Sequence, residues 1–201
     1  MAKVHPNAAH GPLEMAVVRE EDGGGAAAVL TVWQKSLLFG CSGFTVFDGQ
    51  GNLAFRVDVY GGDAAAGALV LMDSSGTPLL TLRRKKLSLG ETWMIFNGED
   101  AADTVYSVKR HVSLRQGKAI AHVTPRRRGG AGGGYEIEGL YARRNCKVYD
   151  EGRRVVAEVR RKETVGGVAL GEDVFRLVVE LDFDACLAMA FVIVLDQMFG
   201  R

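Results

Sequence analysis

Cysteine is scarce in this chain. Only Cys41, Cys146 and Cys186 occur, an odd number with no close spacing and no Cys-x-x-Cys. That excludes a small disulfide-framed fold and a zinc or redox motif built on cysteine pairs. The segment from Met1 to Leu13 lacks the apolar core of a signal peptide, and no Asn-x-Ser/Thr sequon is present, so an intracellular, reducing setting is expected. Ala2 after Met1 excludes an N-myristoyl glycine. An excess of one charge is also missing. The formal net charge is +1, so no global field draws the protein to nucleic acid or membrane, and such binding must come from a local patch.

Catalytic and metal signatures are lacking as well. There is no Gly-x-Ser-x-Gly elbow, and Gly40-Cys41-Ser42-Gly43 is too short to be one. The glycine-rich stretch 129–134 has no Gly-Lys-Ser/Thr ending, so it reads as a surface loop rather than a phosphate cradle. Asp48 to Asn52 opens like a calcium loop, but the sixth position is Leu53 and the twelfth is Val59, where Gly and Glu are required. Of the four histidines, His5 and His10 lie in the N-terminal stretch, while His111 and His122 fall near expected strand ends without ligand spacing. No metal, no cofactor and no enzymatic activity are expected.

What is present is an ordinary globular mixture: 201 residues, 47% hydrophobic and 24% charged, enough for one domain with a sizeable core. Residues 1–28, with Pro6, Pro12, the acidic run Glu20 to Asp22 and then Gly23 to Ala28, read as a flexible leader that offers little burial to offset its ordering entropy. Met15 to Val18 is its one candidate for a short strand. The remainder, 29–201, reads as a single domain.

That domain is rich in strand signals. Three segments share one pattern, an apolar run, an Asp, a Gly two or three residues on, and a second run: they turn at Asp48 with Gly51, at Asp73 with Gly76, and at Asp150 with Gly152. An Asp side chain bonds the backbone two residues on and Gly accepts positive φ, so each is a hairpin, and the recurrence suggests a repeated unit. Leu53, Phe55, Val57 and Val59 alternate with Ala54, Arg56 and Asp58; Phe175, Leu177 and Val179 alternate with Arg176, Val178 and Glu180. Period two with a polar face predicts sheets with one wet side. The runs amount to about a dozen strands.

The chain closes differently. Ala185 to Leu195 is apolar all round, with Asp184 as a plausible N-cap and Asp196 at the far side. At 1.5 Å per residue this stretch spans roughly 17 Å, short of the roughly 30 Å of a bilayer core. It is therefore expected as a buried helix and not as a transmembrane span. A closed sheet of about a dozen strands has a lumen wider than side chains alone fill, and a helix about 10 Å across would plug it. The fold class is thus mainly β, a closed barrel of about 12 strands around a central apolar C-terminal helix, with Cys186, Leu187, Phe191, Val194 and Leu195 as helix residues in the core.

At this level the sequence resembles a known family. Leu30 to Phe39 (LTVWQKSLLF), Gly43 to Asp48 (GFTVFD), Leu53 to Asp58 (LAFRVD), Leu79 to Leu89 (LLTLRRKKLSL), Glu91 to Trp93 (ETW) and the closing Asp184 to Met198 helix are similar, in this order, to the plant LURP-one-related family. The resemblance implies a tubby-like fold, shared with tubby proteins and phospholipid scramblases: a twelve-stranded barrel around a C-terminal helix. It implies a link to plant defence and no assigned biochemical activity. The phosphoinositide-binding residues of tubby proteins have no position-by-position match here.

Four basic clusters remain: Arg83-Arg84-Lys85-Lys86, Arg126 to Arg128, Arg143-Arg144 and Arg160-Arg161-Lys162. Each basic side chain near an anionic membrane contributes about 1 kcal/mol. Arg83, Arg84, Lys85 and Lys86 are the expected lipid-binding set, because the run leaves a strand for a loop. Neighbouring strand residues point to opposite faces, so all four meet one headgroup only if the strand ends there. Nucleic acid is not expected, since no aromatics interleave with these runs. Three readings stand: peripheral binding to anionic phospholipid headgroups, a scaffold for unidentified protein partners, and a scramblase-like protein whose C-terminal helix enters a membrane.

Overall fold

In the computed structural model the described residues are 17–18, 27–37, 42–59, 68–88, 90–99, 103–111, 118–126, 133–162, 171 and 173–200. The strands are β1 Val17–Val18, β2 Ala27–Trp33, β3 Ser42–Phe47, β4 Leu53–Val59, β5 Leu69–Asp73, β6 Pro78–Arg84, β7 Thr92–Asn97, β8 Thr104–Arg110, β9 Ala119–Pro125, β10 Tyr135–Leu140, β11 Asn145–Tyr149, β12 Val155–Arg161 and β13 Val174–Glu180, followed by helix α1 Ala185–Phe199. Each strand from β3 to β13 pairs antiparallel with its chain neighbour, and β2 pairs antiparallel with both β13 and β3. The twelve strands β2 to β13 thereby close into a barrel. Closure removes the free edges that an open sheet of this length would present. The short β1 adds to β2 at Ala27 and Ala28, so β2 begins two residues before 29, and Val17 and Val18 of the candidate strand Met15 to Val18 pair with it.

Helix α1 runs back through the lumen from its Asp184 N-cap, whose carboxylate accepts from the Cys186 N–H at 2.8 Å. Leu187, Phe191, Val194 and Leu195 are buried, and Cys186 is partly buried against the same core. The helix extends three residues past Asp196, to Phe199. Its lining comes from alternate strand positions, among them Phe55, Val57, Leu82, Ile95, Ile137, Phe175 and Leu177, all fully buried. Cys146 joins this lining, and burial pushes its thiol pKa up to about 12. Cys41 lies outside the described residues.

Two details differ from the sequence reading. The outer face is not wet throughout: Thr45, Asp58 and Thr81 are buried there, because connecting segments fold back over the sheet. Thr45 Oγ1 donates to the Lys35 carbonyl at 2.8 Å, Ser36 Oγ to Asp58 Oδ1 at 2.6 Å, and Thr81 Oγ1 to the Gly98 carbonyl at 2.6 Å. Gly43 lies under the second of these contacts, where a Cβ would collide with the Val57 carbonyl oxygen and crowd the Ser36 Cβ. The second difference lies in the third hairpin. All three turns have the Asp carboxylate accepting backbone N–H groups, as at Asn52 (2.8 Å), Thr77 (2.8 Å) and Arg154 (2.9 Å). Gly51 and Gly76 take the positive φ of the first two, at 87° and 91°. In the third, that place belongs to Arg153 (φ 63°) and not to Gly152.

Candidate functional site

Because every strand reverses the one before, the barrel has two chemically distinct ends. Helix α1 starts at the end that holds the Asp48, Asp73 and Asp150 turns, and it finishes where β6, β8, β10 and β12 terminate. This second end gathers Arg84 at the end of β6 with Lys85 and Lys86 after it, Arg110 at the end of β8, Lys118 before β9, Arg143 and Arg144 after β10, and Arg161 at the end of β12 with Lys162 after it. Three of the four basic clusters of the sequence therefore converge on one end. The fourth does not: Arg126 follows β9 at the opposite end, and 127–128 lie outside the described residues. Of the exposed large apolar side chains, Trp33, Leu37, Leu87 and Leu140 also fall at the helix-terminating end, and Leu181 at the other. Leu87, in the turn between β6 and β7, is 92% exposed.

The run at 83–86 divides as strand alternation requires. Arg83 leans over the Phe96 ring on the outer face, 5.9 Å from its centroid. Arg84 pairs in register with Trp93, which is buried inside the barrel, and turns toward the mouth, where it lies 3.8 Å from Glu91. Arg84, Lys85 and Lys86 then line, with Ser88, Gly90 and Glu91, a cleft of about 620 Å³. Three of the four expected residues share this cleft, and Arg83 does not line it.

Sequence reading missed two residues here. Glu91 bridges Arg84 and Arg110, the latter at 3.2 Å. Arg110 also donates to the Met198 carbonyl at 3.3 Å and stacks over Phe199 at 4.6 Å. It thus caps the negative end of the α1 dipole, which has no basic residue of its own in its last turn. Arg110 lies far from both partners in sequence, and only strand register brings them together.

Beside this mouth is a polar cluster. Asp196 Oδ1 accepts from Gln34 Nε2 at 2.8 Å and from the Tyr141 hydroxyl at 3.2 Å; Arg144 donates to Gln34 Oε1 at 2.6 Å and stacks on Phe175 at 4.4 Å. Burial raises the Asp196 pKa, against the opposing pull of Arg144. A separate groove of about 600 Å³ crosses the outer face of β9 to β11, lined by Lys118, Ile120, Glu138, Leu140, Lys147 and Tyr149 among others. His111 Nδ1 and His122 Nε2 meet at 3.2 Å. Among the described residues no group of three or more His, Cys, Asp or Glu side chains is placed to hold a metal ion.

Comparison with known proteins matches this architecture. Residues 28–196 match the LURP-one-related family profile. Protein LURP-one-related 8 of Arabidopsis thaliana is 50% identical over 178 residues, covering 87% of this chain and 88% of that protein. Protein LURP-one-related 5 of the same plant is 42% identical, covering 85% and 83%. An X-ray structure of an Arabidopsis thaliana protein superposes with a TM-score of 0.62 at 24% identity, over 86% of this chain and 91% of that one, which speaks for the fold alone. With its profile matched over most of its length and relatives at this identity, the chain belongs to the LURP-one-related family.

Proposed function

We propose that this protein is a non-enzymatic regulatory module that docks peripherally on acidic phospholipid surfaces through the end of the barrel where α1 terminates. One observation carries the reading: the exposed apolar side chains Trp33, Leu37, Leu87 and Leu140 share that end with the basic clusters. Basic groups draw a protein to an anionic surface, and an apolar tip such as Leu87 gains by entering the headgroup boundary. Neither feature alone would distinguish a membrane face from an ordinary solvated surface.

Other barrel-based readings fit less well. A membrane-spanning barrel carries an apolar band outside and a polar lumen. Here the lumen is apolar, and Lys147, Glu158 and Arg160 form ion pairs on the outer face. A scramblase-like role would need α1 in the membrane, whereas its residues Leu187, Phe191 and Val194 are enclosed by strands. Among the described residues no helix is long and apolar enough to cross a bilayer. The alternative is a protein-interaction scaffold, which the mixed-charge groove over β9 to β11 favours. A defence-related role, implied by the family resemblance, and an intracellular membrane site, expected from the cysteine usage and the apolar-poor N-terminal segment, belong to the same proposal.

The test is co-sedimentation with phosphatidylcholine vesicles with and without phosphatidylserine, at low and high salt. Arg84→Ala/Lys85→Ala/Lys86→Ala removes three charges worth about 1 kcal/mol each, so binding to acidic vesicles falls by roughly two orders of magnitude. Arg83→Ala, outside the cleft, has a smaller effect. No binding of the wild type at low salt sinks the lipid reading and leaves the scaffold.

A further inference from the structure

Ser88 sits in the exposed turn between β6 and β7 and lines the same cleft as Arg84, Lys85 and Lys86. Its hydroxyl lies 2.9 Å from that of Thr92, which is buried, so Ser88 is the accessible member of the pair. Positions two to five before it are Lys86, Lys85, Arg84 and Arg83, all exposed. Protein kinases choose substrates partly by charge pattern, and four basic residues ahead of an exposed hydroxyl suit a kinase whose substrate groove is acidic. We propose that Ser88 is the phosphoacceptor of such a basophilic kinase, and that its phosphorylation switches off docking at this end of the barrel; the second half rests on the membrane reading above.

The chemistry is an ordinary phosphoryl transfer. Ser88 Oγ attacks the γ-phosphorus of ATP, an O–P bond forms, and the bond from that phosphorus to the β,γ-bridging oxygen breaks. ADP leaves, and the hydroxyl proton passes to the kinase's base. The product adds a charge of about −1.5 to −2 and three strong acceptor oxygens. These oxygens arise among Arg84, Lys85 and Lys86. The Arg84–Glu91 contact is loose at 3.8 Å, so Arg84 is free to turn from a monoanion to a dianion. Charge-assisted bonds to the phosphate then occupy the side chains that would have met lipid headgroups. Glu91, Arg110 and Lys109 flank the cleft, Lys109 beside Gly90 and in register with Thr92; Glu91 repels the phosphate, and Arg110 and Lys109 partly offset it.

The experiment treats the full chain with ATP and a serine kinase that requires basic residues before its acceptor, and locates the phosphate by mass spectrometry. Incorporation at Ser88, lost in Ser88→Ala, is the expected result; no incorporation, or incorporation elsewhere only, overturns the assignment. Modified and unmodified protein are then compared on phosphatidylserine-containing vesicles, with a tenfold or greater loss of binding expected. Equal binding of both forms overturns the switch. The ³¹P resonance is also titrated in the folded protein and in urea. In the cleft the second ionisation falls below its usual value of about 6, while in urea it moves back toward that value. If unmodified protein ignores the vesicles, the docking reading fails with its switch. The ³¹P shift would still establish a phosphate held by the basic cleft, and its absence would remove that too.

Discussion

Asp196 is the residue whose ionisation works against the fold. It is the one acidic side chain of α1, it sits near the helix's negative end, and burial raises its pKa above the usual aspartate range despite Arg144. The native state therefore holds this proton more tightly than the unfolded chain does. Stability from this group falls as pH rises from the unfolded pKa through the folded one. Asp196→Asn removes that loss while its side-chain carbonyl still accepts from Gln34 and Tyr141. The variant should be at least as stable as wild type at about pH 7 by urea unfolding, with the difference closing as pH approaches the aspartate range. Asp196→Leu leaves the donors of buried Tyr141 and half-buried Gln34 unmet and should cost about 1–3 kcal/mol. A clear loss of stability in Asp196→Asn at neutral pH would mean that the attraction of Arg144 outweighs burial. The Asp150 turn has the opposite sign: hydrogen bonds from the Arg154 backbone and side chain lower its pKa. Its contribution is complete above the unfolded pKa and fades as pH falls through the folded one. Below the unfolded aspartate pKa the acid limb should thus have the same slope in Asp196→Asn as in wild type, whereas it should be shallower in Asp150→Ala.

The strands and helix differ in how legible they were. Helix α1 could be read because an all-round apolar run between two aspartates has few places to go but a core. Its N-cap could be read from the residue type at Asp184. The hairpins could be read from Asp and Gly, yet the third put its positive φ on Arg153. The gain there is visible only in space: Arg153 pairs with Glu136 and Glu138 at 2.7 and 2.8 Å and stacks on Tyr149. The buried outer-face Asp58 and Thr45 were illegible for a similar reason, since period two gives the face of a residue and not what folds over it. The cleft was half legible. Four adjacent basic residues announce a charge, but the counter-ion Glu91 and the bridging Arg110 come from strand register. Two substitutions test the helix itself. Asp184→Ala should cost about 1 kcal/mol, the value of a lost N-cap. Phe191→Ala should cost about 3–5 kcal/mol, because it removes an aromatic ring packed against Tyr135 and Phe183 deep in the lumen. If the Phe191 variant lost less than the cap variant, α1 would not be the plug that holds the barrel closed.

At the scale of the molecule, the functional asymmetry comes from parity. A net charge of +1 hides a basic end and an end rich in acidic turns, and the even-numbered strands deliver their trailing residues to the first. Non-specific attraction to an anionic surface would depend on the charge removed and hardly on where it was. Docking through one end depends on position. Lys118→Ala and Arg126→Ala each remove one positive charge, from the helix-terminating end and the opposite end respectively. The first should weaken binding to phosphatidylserine vesicles about fivefold, the equivalent of roughly 1 kcal/mol, and the second should leave it within error. Leu87→Ser separates the apolar part of the contact from the electrostatic part. Screening shortens to about 3 Å at 1 M salt, so the basic contribution fades there while an inserted Leu still counts. Leu87→Ser should therefore lower vesicle binding by a similar factor at low and high salt, whereas the Lys118→Ala effect should vanish at high salt. Equal effects of Lys118→Ala and Arg126→Ala would reduce the interaction to diffuse charge. A Leu87→Ser variant that binds like wild type would confine the contact to the basic side chains, with no apolar tip entering the bilayer.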